Sequence, residues 1–251
     1  MTGQLFTKEY PSKGRCEAAV RNYTWLRKRT PSLLLPQLLD VGKAILGFEH
    51  VAGRHAHPSD LPRLAELLGR IHGEAWAAEL RLARLDQPWK AAVGVLPDYL
   101  STRREALDRR VEAGHVAPDV QLVQLLRTLE RTAAGPVAFY KDSNPRNFLL
   151  TTTGIVYAVD FDDLTLAPFG YDLAKLLHTL ALTHGRLSTS RIHTARNAYN
   201  RATTAFGAGL TVSEGDIVGH LRLHQVLTAP YHDRPHYPHS PKTPTGPGRP
   251  Q

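Results

Sequence analysis

The stretch Tyr140-Lys141-Asp142-Ser143-Asn144-Pro145-Arg146-Asn147, followed by Asp160-Phe161-Asp162-Asp163, decides how this chain is read. An Asp and an Asn stand five positions apart in one polar loop, and an Asp-Phe-Asp follows thirteen residues after the Asn. Between them, Phe148-Leu149-Leu150, a Thr-Thr-Thr-Gly turn and Ile155 to Val159 read as a β-hairpin, with Gly154 supplying the turn. A hairpin folds back, so the loop and the Asp-Phe-Asp can meet in one place. Asn147 and Asp160 then face a hard cation such as Mg²⁺ with oxygen ligands, and Asp162 either joins them or faces solvent. Asp142 is left to accept a proton from an attacking hydroxyl. A lone Asp-x-x-x-x-Asn is common by chance and reads as a solvated loop. A strand-end carboxylate beside another acid is different, because once buried it needs a partner, and a metal supplies one.

Upstream of this segment the pattern is strands, then helices. Leu5 to Tyr10 can alternate faces, with Phe6, Lys8 and Tyr10 on one side. Arg15 to Lys28 keeps an approximately helical spacing and ends in the cations Arg27, Lys28 and Arg29. Gln37 to Val41 and Ala44 to Phe48 read as two strands around a Gly42-Lys43 turn, with a connector over Val51-Ala52-Gly53. Residues 53–135 read as mostly helical, with helices from Asp60, from Ser101 to Ala113 and from Val120 to Thr132. Downstream, helices are expected over Tyr171 to His184, about Ser190 to Phe206, and Glu214 to Thr228. The Pro- and Gly-rich tail from His232 reads as disordered.

Composition narrows the classes. The 251 residues are 42% hydrophobic and 22% charged, which supports a real core and excludes disorder throughout. One cysteine, Cys16, excludes a disulfide scaffold and suits a reducing cytoplasm. No apolar run reaches the roughly 18 residues of a membrane span. The net charge of +8 is spread along the chain, so nucleic-acid binding is set aside and phosphate-bearing or acidic ligands account equally well for the excess. The thirteen histidines form no zinc-type spacing, and no Ser-His-Asp signature is present.

The central segment resembles the aminoglycoside phosphotransferase and choline kinase-like enzymes. Their pattern is His-Gly-Asp, four residues, Asn, a hairpin and an Asp-Phe-Asp. Asp142, Asn147, Asp160 and Asp162 match it position by position. Ala167 to Ala174 resembles the family's Tyr-Asp-Leu-Ala helix start, and Leu64 to His72 its helix after the hinge. The resemblance implies an α+β, protein-kinase-like fold of two lobes, with ATP and Mg²⁺ as cofactors. It implies Asp142 as base, Asn147 beside it, and Asn147, Asp160 and Asp162 around the metal. Lys8 resembles the strand lysine that meets the α- and β-phosphates, and Glu17 its helix partner. Glu49 to Val51 matches the hinge where backbone groups meet adenine. Asp172 is expected to brace the catalytic loop.

Two departures stand out. Tyr140-Lys141 replaces His-Gly, and only seven residues precede Lys8 where the family has two strands and a phosphate-covering loop. The start could lie upstream, the nucleotide lobe could be open, or a partner protein could complete it. The expected organisation is a truncated small lobe over 1–52, a helical lobe with the catalytic hairpin over 53–231, and a disordered tail over 232–251. The expected activity is transfer of the ATP γ-phosphate to a hydroxyl of a small molecule or of a Ser/Thr in a precursor peptide. The alternative is a pseudokinase or scaffold subunit. From residue 165 onward four acids face nine Lys and Arg, which argues against a polycationic acceptor.

Overall fold

A computed structural model of the chain describes residues 4–117, 119–232 and 234–240. The small lobe is built on three antiparallel strands, β1 (Leu5–Glu9), β2 (Leu38–Val41) and β3 (Ile45–Glu49), in the order β1-β3-β2. Phe6 pairs with Phe48 and Lys8 with Leu46. The two-residue period therefore puts Phe6 and Lys8 on one face. The Gly42 N–H donates to the Ile45 carbonyl at 2.8 Å and closes the β2–β3 turn.

Helix α1 (Lys13–Arg29) starts where the Ser12 hydroxyl accepts from the Arg15 N–H, and it ends in three cations that complement its dipole. Cys16, Ala19, Tyr23 and Leu26 recur at helical spacing and are buried. Tyr23 meets Phe48 at 6.0 Å and Phe161 at 5.5 Å between ring centroids. One aromatic cluster thus ties α1, β3 and the Asp-Phe-Asp together.

The larger lobe is mainly helical: α2 (Leu61–Ala78), α3 (Leu100–Glu112), α4 (Val120–Ala133), α5 (Tyr171–His184), α6 (Thr189–Thr204) and α7 (Glu214–Leu227). Leu61, Leu64, Leu68, Ile71 and Ala75 form the buried stripe of α2. Short strands frame the site. β4 (Arg54–His55), β8 (Phe148–Leu150) and β9 (Val156–Ala158) form one sheet, and β7 (Val137–Tyr140) pairs with β10 (Thr165–Pro168). Gly154, at φ +83°, turns β8 into β9. The core is continuous across the lobes, and Trp25 of α1 packs edge-on against Phe139 of β7 at 5.3 Å.

Two expectations need correction. The stretch read as helical before residue 135 also holds a hairpin, β5 (Trp89–Ala91) and β6 (Gly94–Leu96), turned at Gly94 with φ +145°. The tail read as disordered from His232 is placed over 234–240. Tyr237 is only 6% exposed, its hydroxyl accepts from Asn144 at 2.7 Å, and the His239 N–H donates to the Leu182 carbonyl at 3.0 Å. A single buried aromatic anchors a segment whose composition points the other way. Residues 241–251 of that tail lie outside the described residues. Among the described residues no helix is long and apolar enough to cross a membrane.

Candidate active site

β7 delivers the chain into the polar loop, a tight helical turn over Pro145–Asn147 ends it, and β8 leads away. Among the described residues two non-glycine residues have positive φ, Asp142 at 60° and Asp160 at 57°. The left-handed region is costly for L-residues and concentrates at functional sites. Here it falls on two of the three carboxylates that the sequence assigns to the base and the metal, Asp142 and Asp160, and not on Asp162. Asn147 joins their segments. Its side-chain amide donates to the Asp142 carbonyl at 2.8 Å, and its own carbonyl accepts from the Val159 N–H at 2.9 Å. Its side-chain oxygen has no hydrogen bond among the described residues.

Asp142 is clamped from two sides. The Tyr140 hydroxyl donates to its carboxylate at 2.7 Å, and the Lys175 ammonium stands 3.2 Å away. Burial pushes the Asp142 carboxyl up, but Lys175, Tyr140 and Lys141 outweigh it and hold the group below the usual range. Asp142 is therefore an ionised acceptor at neutral pH.

Asp172 braces the loop from beneath. It is fully buried and accepts from the Ser143 N–H at 2.8 Å and the Lys141 N–H at 3.3 Å. Gly170, at φ +81°, opens α5 two residues earlier, and a Cβ there would meet Val212 at 2.6 Å. Only glycine fits that approach. Burial raises the Asp172 carboxyl, with Lys141 and the Ser143 donor offsetting part of the effect. Lys141 is itself buried, its ammonium 4.4 Å over the Phe148 ring, and burial lowers its pKa. His72 lies 3.9 Å from Asp172 and stays neutral, driven down to about 3 by burial and by Lys141.

The Asp-Phe-Asp is fixed by its centre. Phe161 packs on Tyr23 and Phe48, and the Asn22 side chain donates to the Phe161 and Asp162 carbonyls at 3.1 and 2.8 Å. The flanking carboxylates meet Lys8, whose ammonium is 2.8 Å from Asp160 and 2.7 Å from Asp162. Burial works against that ammonium, but the two acids prevail and raise its pKa. The Tyr10 hydroxyl donates to Asp162 at 3.2 Å, so Asp162 does not simply face solvent.

Glu17 departs from expectation. It pairs with Lys13 at 3.4 Å on its own helix, not with Lys8. The reason is helical phase: Glu17 follows buried Cys16 and falls on the α1 face turned from the cleft, whereas Asn22 reaches the site.

A cleft of about 350 Å³ lies against Lys8 and the Asp-Phe-Asp, and neither Asp142 nor Asn147 is in its lining. Phe6, Phe48, Val51, Leu149 and Phe161 contribute apolar lining, and Lys8, Asp160 and Asp162 contribute charged lining. Glu49 and Val51 both line it. The Glu49 and His50 N–H groups are taken by the Gln37 and Gln4 carbonyls, whereas the Val51 N–H has no partner among the described residues. No group of three or more His, Cys, Asp or Glu converges among the described residues. The oxygen donors on offer are two carboxylates and one amide, and Mg²⁺ commonly combines so few protein ligands with substrate phosphates and water. The donor chemistry fits that ion. Tyr140, Lys175 and Asn22 act at the site without any signal in the spacing, since their contacts exist only once distant segments meet.

Comparisons with known proteins bear on the family and the fold. A family model described as the phosphotransferase enzyme family matches residues 3–209. The macrolide 2'-phosphotransferase MphH from Brachybacterium faecium superposes with a TM-score of 0.61 at 14% identity, covering 98% of this chain and 86% of that one. The aminoglycoside phosphotransferase APH(3'')-Id from Streptomyces rimosus, solved with ADP and streptomycin, gives 0.55 at 22% identity over 89% and 86%. The choline kinase LicA from Streptococcus pneumoniae gives 0.57 at 15% identity over 90% and 76%. These likenesses fix the fold as kinase-like, α+β. A search of curated protein sequences finds no match.

Proposed function

The chain belongs to the phosphotransferase enzyme family, and from that premise we propose that it transfers the γ-phosphoryl group of ATP to a hydroxyl. The acceptor is a small molecule or a Ser/Thr of a precursor peptide. The observation that carries the reading is the junction at Asn147, which ties the loop of Asp142 to the strand end of Asp160, both left-handed. Strain held at two carboxylates by surrounding structure is a mark of a site built for a ligand.

In this reading the adenine occupies the apolar part of the cleft against Val51, and the phosphates lie toward Lys8. Lys8 steadies the α- and β-phosphates. Asn147, Asp160 and Asp162 would hold Mg²⁺, which when bound neutralises charge on the transferring phosphate. Asp142 orients the acceptor hydroxyl and takes its proton as the oxygen–phosphorus bond forms. The bond from the γ-phosphorus to the bridging oxygen breaks, and its electron pair leaves with ADP. Tyr140 and Lys175 keep Asp142 unprotonated for that step. Positioning and charge neutralisation supply most of the rate.

One observation favours the scaffold reading. Lys8 stands between Asp160 and Asp162, where a cation would bind, and forms ion pairs to both. Calorimetry separates the two. Titration of ATP with and without Mg²⁺ should show Mg²⁺-dependent binding that Asp160→Ala loses. An intact chain that binds no nucleotide under either condition would overturn the kinase reading and leave the scaffold.

A further inference from the structure

On the kinase reading the acceptor needs space beside the nucleotide cleft, and a second pocket adjoins it. This pocket is open to solvent and holds about 570 Å³. Pro145 and Arg146 of the catalytic loop form one wall, the segment from Arg54 to His57 another, and the end of α5 at His184 a third. His55 lines both this cavity and the nucleotide cleft, so the two adjoin. The Ala56 N–H donates to the Pro145 carbonyl at 3.1 Å and fixes one wall to the catalytic loop.

The charges here are unequal in availability. Arg54 is spent, because its guanidinium donates to both oxygens of Asp60 at 2.6 and 2.8 Å. Asp60 also accepts from the His57 N–H at 2.8 Å. Among the described residues no carboxylate lines the cavity. Arg146 is exposed and has no carboxylate partner among the described residues. Its one side-chain hydrogen bond runs to Nε2 of His236, 3.3 Å away. A guanidinium has five N–H donors in a planar fork that suits carboxylate and phosphate. The Ser59 N–H donates to Nδ1 of His57, which occupies that nitrogen. An ammonium-bearing acceptor would find the Arg146 guanidinium and, among the described residues, no lining carboxylate.

We propose that this cavity is an anion-binding subsite of the acceptor, taking a carboxylate or a phosphate on Arg146. The acceptor is then an alcohol that also carries an anionic group.

The test follows backbone amide signals of residues 54–57, 146 and 183–184 in ¹H–¹⁵N spectra of the full chain with Mg²⁺ and AMP-PNP present. Inorganic phosphate and acetate are the anionic probes, and glycerol and choline the neutral and cationic ones. Saturable shifts are expected with an anion and not with glycerol or choline. Phosphate alone would identify a phosphorylated acceptor, and acetate alone a carboxylic one. Arg146→Gln should weaken anion binding roughly tenfold or more, and Arg146→Lys should retain part of it. Saturation by choline, no anion-specific shift, or equal anion binding by Arg146→Gln would overturn the proposal. Signals of Lys8, Val51 and Val159 report nucleotide in the same spectra. If they do not move, the kinase reading fails by itself. The anion titration is then decided in a Lys8→Gln background, which removes the cleft's own cation.

Discussion

The two left-handed aspartates are held in opposite ways. Asp142 sits in a braced loop: half-buried Tyr140 donates to its carboxylate, Lys175 neutralises it, and fully buried Asp172 grips the backbone on either side. Asp160 is 53% exposed, and Lys8 is its only ion-pair partner among the described residues. Asp162, 20% exposed, has Lys8 and Tyr10. On the proposed reading the base is held before any substrate arrives, whereas the carboxylate pair is anchored through Phe161 and Asn22 and has its charged ends paired with the Lys8 ammonium. A group that must only take a proton can be fixed in advance. Groups that must accept a cation and phosphates have to be released to do so.

The largest expected effect comes from breaking the brace. Asp172→Ala strips two buried loop N–H groups of their acceptor and removes the carboxylate whose charge acts most on the buried Lys141 ammonium. Leaving a buried donor unsatisfied typically costs about 1–3 kcal/mol for each group. Thermal or denaturant unfolding should show a loss of that order. A loss under about 1 kcal/mol, the range of exposed pairs, would mean that the loop holds its shape without Asp172 and that the contrast with Asp160 is false.

A smaller effect, confined to pH, should follow Tyr140→Phe. The phenol donates to the ionised form of Asp142 and helps hold its carboxyl below the usual range. Losing that donor moves the carboxyl upward, so the acid limb of kcat/KM should shift to higher pH while the rate above it changes little. The same linkage acts on stability. A depressed carboxyl contributes stability above its unfolded value, near pH 3.9, and loses it as pH falls through the folded one. The variant should therefore lose stability in acid at a higher pH than the parent. An unmoved limb would leave Lys175 as the group that sets Asp142.

How much of this was legible in the sequence depends on distance along the chain. The catalytic loop, the hairpin with Gly154 and the Asp-Phe-Asp are local patterns, and the segments they mark do converge. Lys8 was findable because alternation along a strand places it on the face of Phe6. Glu17 was misplaced because a helix turns 100° per residue, so one position decides between the cleft and the Lys13 side. Asn22 carries the α1 contact instead, and nothing about an isolated asparagine announces it. Tyr140 stands where the family pattern has His, but its donation to Asp142 required the loop geometry. Residues 234–240 were misread because composition does not weigh one buried tyrosine, Tyr237, against the prolines around it.

The smallest stability effect and the sharpest test of the comparison come from Lys8→Met. The Lys8 side chain is 28% exposed and its partners are partly open, so losing both pairs should cost about 1 kcal/mol or less, and less still in high salt. The sign with pH is that of a raised lysine: the contribution is complete below the unfolded value near 10.4 and fades as pH rises through the folded one. Added Mg²⁺ then discriminates. In the parent chain a divalent ion must displace the ammonium from Asp160 and Asp162. In Lys8→Met it meets two carboxylates that repel each other. Mg²⁺ without nucleotide should therefore raise the Tm of Lys8→Met more than that of the parent, although the variant binds ATP more weakly. An equal or larger shift in the parent would show that the ion binds away from these carboxylates, and the ammonium would then be a permanent strut like the lysine beneath Asp142.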